Sequence, residues 1–104
     1  MKYSSTIKIT NSSDALKTMC LEPWAEEFEM LPEITLEIVA KSDHDGEFEI
    51  DFSETRITVY AWWGSVAEVF LEGENICGGG HIQLPGPKNG MSLSNSLRWL
   101  FGKE

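Results

Sequence analysis

Hydrophobic and polar residues alternate with a period of two along most of the first three quarters of the chain, the pattern of half-buried strands. It is clearest at Phe48-Glu49-Ile50-Asp51-Phe52, where Glu47, Glu49 and Asp51 oppose three apolar side chains. A strand of this kind is expected to bury Phe48, Ile50 and Phe52 and to leave the acids in water. Ile34, Leu36, Ile38 and Ala40 alternate in the same way with Thr35, Glu37, Val39 and Lys41. Between these two runs lies Ser42-Asp43-His44-Asp45-Gly46. Its terminal Asp-Gly predicts a hairpin, because glycine reaches positive φ at little cost.

Ile7 and Ile9 mark a first strand, residues 16–21 a second, and residues 27–31 a third that stops at Pro32. Residues 56–63 are rich in β-branched and aromatic side chains, as in a strand covered on both faces. Gly64-Ser65 turns the chain into residues 66–71, and Glu72-Gly73-Glu74-Asn75 closes a hairpin onto residues 76–77. Seven or eight short strands with no helical period between them predict an all-β fold. The expected architecture is one compact antiparallel β-sandwich or barrel over residues 1–77.

The character changes at Gly78. Gly78-Gly79-Gly80 and Leu84-Pro85-Gly86-Pro87-Lys88-Asn89-Gly90 read as a linker or irregular loop over residues 78–90. Within residues 91–104, Leu93, Leu97, Leu100 and Phe101 fall on one face of a short amphipathic helix, with Ser92 or Ser94 as N-cap and Gly102 as stop. So short a helix needs something to pack against. Its own sheet, a partner, or a second protomer in a homodimer would serve.

A length of 104 residues bounds the chain to one domain, and 41% hydrophobic residues set it apart from a disordered acidic tail. With 17 acidic against 8 basic side chains the net charge is −9, which repels the nucleic-acid backbone. Nucleic-acid binding is therefore not expected. The acidity is concentrated in residues 22–74, and both flanks are net positive. No stretch approaches the ~20 apolar residues of a membrane span, so no membrane contact is expected. The first residues lack the apolar run of a signal peptide, which predicts a cytoplasmic protein. Cys20 and Cys77 are too few for a disulfide scaffold and too far apart for a C-x-x-C motif, and they read as reduced thiols in or near the core.

Leu21-Glu22-Pro23-Trp24-Ala25-Glu26-Glu27-Phe28, with Leu31-Pro32 after it, and Val59-Tyr60-Ala61-Trp62-Trp63-Gly64-Ser65-Val66-Ala67-Glu68-Val69-Phe70 carry a resemblance. Over roughly residues 7–76 the chain resembles a family of small uncharacterised bacterial proteins with an L-E-P-W-G-E-x-(F/Y) segment, a P-P-G turn and a V-Y-G-W-x-G-S stretch. It departs by Ala25 and Ala61 where that family has glycine, and by Leu31-Pro32-Glu33 in place of the P-P-G turn. The resemblance implies a compact β domain and transfers no catalytic residue. Within its first segment, Pro23 biases Glu22 to extended backbone. Trp24 is then expected at a corner, either plugging an open end or exposed for binding.

The motifs that could carry catalysis or bind a metal are incomplete in this chain. Asp43-His44-Asp45-Gly46 resembles part of a calcium loop, but the remaining ligands and the glycine are out of register, so neither a metal nor a cofactor is expected. Gly64-Ser65 lacks the first glycine of a nucleophile elbow, and Cys77 with His81 lacks an orienting acid. Glu47, Glu49 and Asp51 repeat every ~6.6 Å along a strand, and Glu26, Glu27 and Glu29 form a second acidic group. Wet sheet faces explain such carboxylates without catalysis. The function expected is therefore non-enzymatic: an acidic protein-interaction domain whose Glu47, Glu49 and Asp51 face meets a basic protein, as an immunity- or antitoxin-like protein would. The alternative is a small-molecule or carbohydrate site lined by Trp24, Tyr60, Trp62 and Trp63.

Overall fold

The computed structural model describes residues 2–77 and contains eight strands in two four-stranded sheets, with no helix among the described residues. The strands are β1 (Tyr3–Thr10), β2 (Lys17–Glu22), β3 (Glu26–Met30), β4 (Thr35–Ser42), β5 (Glu49–Phe52), β6 (Arg56–Tyr60), β7 (Val66–Leu71) and β8 (Glu74–Asn75). The first sheet runs β1-β4-β7-β8 and the second β3-β2-β6-β5. The linker expected at residues 78–90, the helix expected in residues 91–104 and the homodimer through it lie outside the described residues.

Alternation gives each sheet one apolar face. Ile9, Leu36, Ile38, Ala40, Ala67 and Val69 from the first sheet join Met19, Leu21, Met30, Ile57 and Val59 from the second in one buried cluster, with Ala61 and Trp62 from the β6–β7 connection. Each large side chain in it contributes about 1.5–3 kcal/mol by leaving water. Asn11 ties the two sheets together by hydrogen bonds. From the end of β1 its Nδ2 donates to Met30 O at the end of β3 (2.7 Å) and to Ala15 O (2.9 Å), while its Oδ1 accepts from Ser13 N–H and Oγ–H. A buried amide so fully satisfied is costly to remove.

Several expectations are corrected by the topology. The pairing is not antiparallel throughout, because β2 and β6 run parallel, from Thr18↔Arg56 to Glu22↔Tyr60. Ser42 to Gly46 is not a hairpin, since β4 lies in the first sheet and β5 in the second. Gly46 is not one of the glycines at positive φ. It is small because a Cβ there would stand 2.2 Å from the Trp62 ring. The last hairpin is tighter than expected, with Glu72 (φ 53°) and Gly73 (φ 85°) alone forming the turn, so that β8 is Glu74–Asn75 rather than residues 76–77. Two consecutive positive φ values are what a two-residue hairpin twisted like its strands requires. β6 stops at Tyr60, before the two tryptophans. Phe52 is not buried: it ends a short edge strand and is 68% exposed.

Candidate functional site

The second sheet carries the acidic surface. Met19, Leu21, Ile57, Val59 and Met30 point into the core, so strand alternation turns Thr18, Cys20, Glu22, Glu27, Glu29, Glu49, Asp51, Arg56, Thr58 and Tyr60 to the other face. Register then places them in rows. Asp51, Thr58, Cys20 and Glu27 lie side by side across all four strands. Glu49, Tyr60 and Glu22 form the next row, and Arg56, Thr18 and Glu29 the row on the other side. Neighbouring strands stand about 4.8 Å apart, so these carboxylates share one electrostatic field.

Of the acids singled out in the sequence, Glu49 and Asp51 belong to this face, while Glu47 is exposed just ahead of β5. Glu22, Glu27 and Glu29 join them, and Arg56 is the one base among the strand residues of the face. Its Nη2 bonds Glu27 Oε2 at 2.9 Å, and both side chains are about half exposed. An ion pair so placed is worth at most about 1 kcal/mol. The assembly of β3 and β5 acids onto one face depends on the parallel β2–β6 pairing, which local sequence does not signal. The alternation of Glu27 and Glu29 with Phe28 and Met30 is the part a sequence could have offered.

Cys20 sits in the middle of the acidic rows yet is 5% exposed. Its thiol donates to Glu22 Oε2 at 3.4 Å. Burial, reinforced by the negative charge of Glu22 and by that hydrogen bond, pushes the thiol up to about 12. Cys77 is also raised, chiefly by burial. A thiol held protonated is a poor nucleophile and a poor metal ligand. Among the described residues no group of three or more His, Cys, Asp and Glu is placed to hold a metal ion. His44 is exposed, its Nδ1 beside Asp45 O at 3.1 Å and its Nε2 close to Gly64. His81 lies outside the described residues.

The four aromatic residues do not form one group. Trp62 belongs to the core: it is buried, its Nε1 donates to Ser42 Oγ at 2.9 Å, and its ring meets Phe48 edge-on with centroids 5.5 Å apart. Ser42 in turn donates to His44 O. Trp24 is half-buried against the core in the β2–β3 turn, where the Glu22–Pro23 bond is cis and Ala25 has φ 56°. Tyr60 is half-buried on the acidic face between Glu22 and Glu49, and Trp63 is half-buried after β6. Trp24, Tyr60 and Trp63 therefore lie toward the same end of the second sheet, where β2 and β6 finish.

Among the described residues no helix is long and apolar enough to cross a membrane. The chain matches no protein-family model, no curated protein and no solved structure.

Proposed function

We propose that this chain is a non-enzymatic interaction domain of a bacterial cytoplasmic protein, built as a two-sheet sandwich whose acidic face docks a basic protein. One observation carries the reading: Glu22, Glu27, Glu29, Glu49 and Asp51 converge on one sheet face with Arg56 as its only strand base. Such a face speeds encounter with a positive surface and repels acidic competitors. An immunity- or antitoxin-like protein that masks a basic toxin is the concrete version. The resemblance to the bacterial family is supported by the backbone, because Ala25 (φ 56°) and Glu33 (φ 70°) stand where that family places glycines.

The test is an amide-resolved titration with an arginine-rich model peptide. Shifts are expected along β2, β3, β5 and β6, declining as salt is added and weakened in the Glu49→Gln, Asp51→Asn variant. Binding indifferent to both changes overturns the reading. A separate experiment addresses the second reading, in which Trp24, Tyr60 and Trp63, toward one end of the sheet, hold a sugar or small planar ligand. A ligand screen read by tryptophan fluorescence should then respond to Trp24→Leu and not to charge variants.

A further inference from the structure

Among the described residues β1 is the longest edge strand. It pairs with β4 over all eight residues, from Tyr3↔Ser42 to Thr10↔Thr35, and among the described residues no strand pairs with its other side. Two backbone bonds fix which groups face that open side. Asn11 N–H donates to Ile34 O, and Ile76 N–H donates to Val69 O, so Val69 turns its groups toward β8 and Ile38 turns its own toward β1. Alternation then directs the N–H and C=O groups of Ser4, Thr6, Lys8 and Thr10 outward.

Protein edges are ordinarily blunted by shortness, proline, bulges or charge. The other edges have such devices: β8 is two residues long, β5 is four and carries Glu49 and Asp51, and β3 is five and carries Glu26, Glu27 and Glu29. β1 is eight residues in unbroken register, and its one charged residue, Lys8, lies opposite Glu37. Its core-facing row is also unfinished, for Tyr3 is 43% exposed and Ile7 is half-buried, whereas Ile9 is 6% exposed.

We propose that β1 is a strand-addition surface for a second copy of this chain, the two β1 strands pairing antiparallel about a two-fold axis at Thr6. The self-complementary register selects this occupant, and charge selects this edge. The chain carries −9, and β1 has no carboxylate, so two copies meet where their mutual repulsion is least. In this register Lys8 opposes Ser4 of the second copy, so the two lysines do not face each other. Thr6 opposes Thr6, a favourable cross-strand pair. Tyr3 is laid beside Ile9 of the second copy, which continues the apolar row across the axis. The closed two-fold arrangement uses up both edges and so stops at a dimer.

Sedimentation of the full chain over a wide concentration range should show reversible doubling of mass. Thr6→Pro removes an outward N–H that β4 does not use, and should weaken association by about tenfold or more, equivalent to about 1.4 kcal/mol. Register is read by oxidative cross-linking in the full chain. Thr6→Cys should form a linked dimer readily, whereas Ser4→Cys should cross-link with Lys8→Cys in a mixture and poorly with itself. This readout stands if the proline variant fails to fold. A single mass at every concentration overturns the proposal, as does cross-linking of Thr6→Cys no faster than the native chain. Dimerisation unaffected by either change at Thr6 would move the interface elsewhere and overturn it as well.

Discussion

A methyl group added at Gly46 would lie 2.2 Å from the Trp62 indole, and the indole cannot retreat, being bonded to Ser42 and packed on Phe48. Gly46→Ala should therefore cost about 1–3 kcal/mol or more through overpacking, measured by urea unfolding. At Gly73 the same substitution meets nothing within 4 Å and pays only for φ 85°. The converse holds at Ala25 and Glu33, which occupy left-handed backbone that costs a side-chain-bearing residue about 1–2 kcal/mol. Part of that is lost to the freer unfolded chain that glycine brings. Ala25→Gly and Glu33→Gly should each stabilise by up to about 1 kcal/mol, or about 4–8 °C in Tm by thermal melting. Cys20 supplies a pH dependence. An unfolded thiol ionises near its ordinary value of 9.0 while the folded one keeps its proton up to about 12. Stability should thus fall by about 1.4 kcal/mol per pH unit across that window. Urea melts at rising pH should show the decline in the native chain and a shallower one in Cys20→Ala, and alkylation at mildly alkaline pH should reach Cys77 before Cys20.

The elements were largely legible because period-two alternation is a local signal. Most of the strands lie where apolar and polar residues alternate, whereas β8 (Glu74–Asn75) has no such pattern and falls inside the segment that reads as a turn, because Glu72 and Gly73 suffice to reverse the chain. Partnership was not legible. Asp45-Gly46 resembles a hairpin turn, but its glycine answers to a tryptophan sixteen positions on, in a contact between elements that no local window contains. The parallel β2–β6 pair joins strands thirty-eight positions apart in sequence, and it alone brings the β3 acids beside the β5 acids. Asn11 was equally hidden, since Asn-Ser-Ser-Asp reads as a polar loop until its amide is found bridging the sheets. Strand position also decides what a side chain is worth. Phe52 and Ile57 are cross-strand partners, yet Phe52 is 68% and Ile57 2% exposed. Phe52→Thr should change stability by less than about 0.5 kcal/mol, whereas Ile57→Ala should cost about 2–5 kcal/mol. Chemical denaturation of both variants checks the contrast.

At the scale of the whole molecule the charge is polarised by the sheets. The second sheet's outer face gathers Glu22, Glu27, Glu29, Glu49 and Asp51, while β1 of the first sheet carries Lys8 and no acid. Like charges on one face repel in the folded state, and added salt screens exposed charges beyond a Debye length of about 8–10 Å at 0.1–0.15 M. Raising salt from a low value should therefore raise the Tm of the free chain by a few degrees, the shift expected of about 0.5–1 kcal/mol. The same salt should weaken attachment of a basic partner to that face, because the field that strains the free domain is the one that draws the partner in. The two effects have opposite signs and one origin, which makes them separable from general salting-out of apolar surface. Salting-out would strengthen folding and apolar association together. A melt series and a binding series run over the same salt range should diverge, and parallel responses would remove the acidic face as their cause.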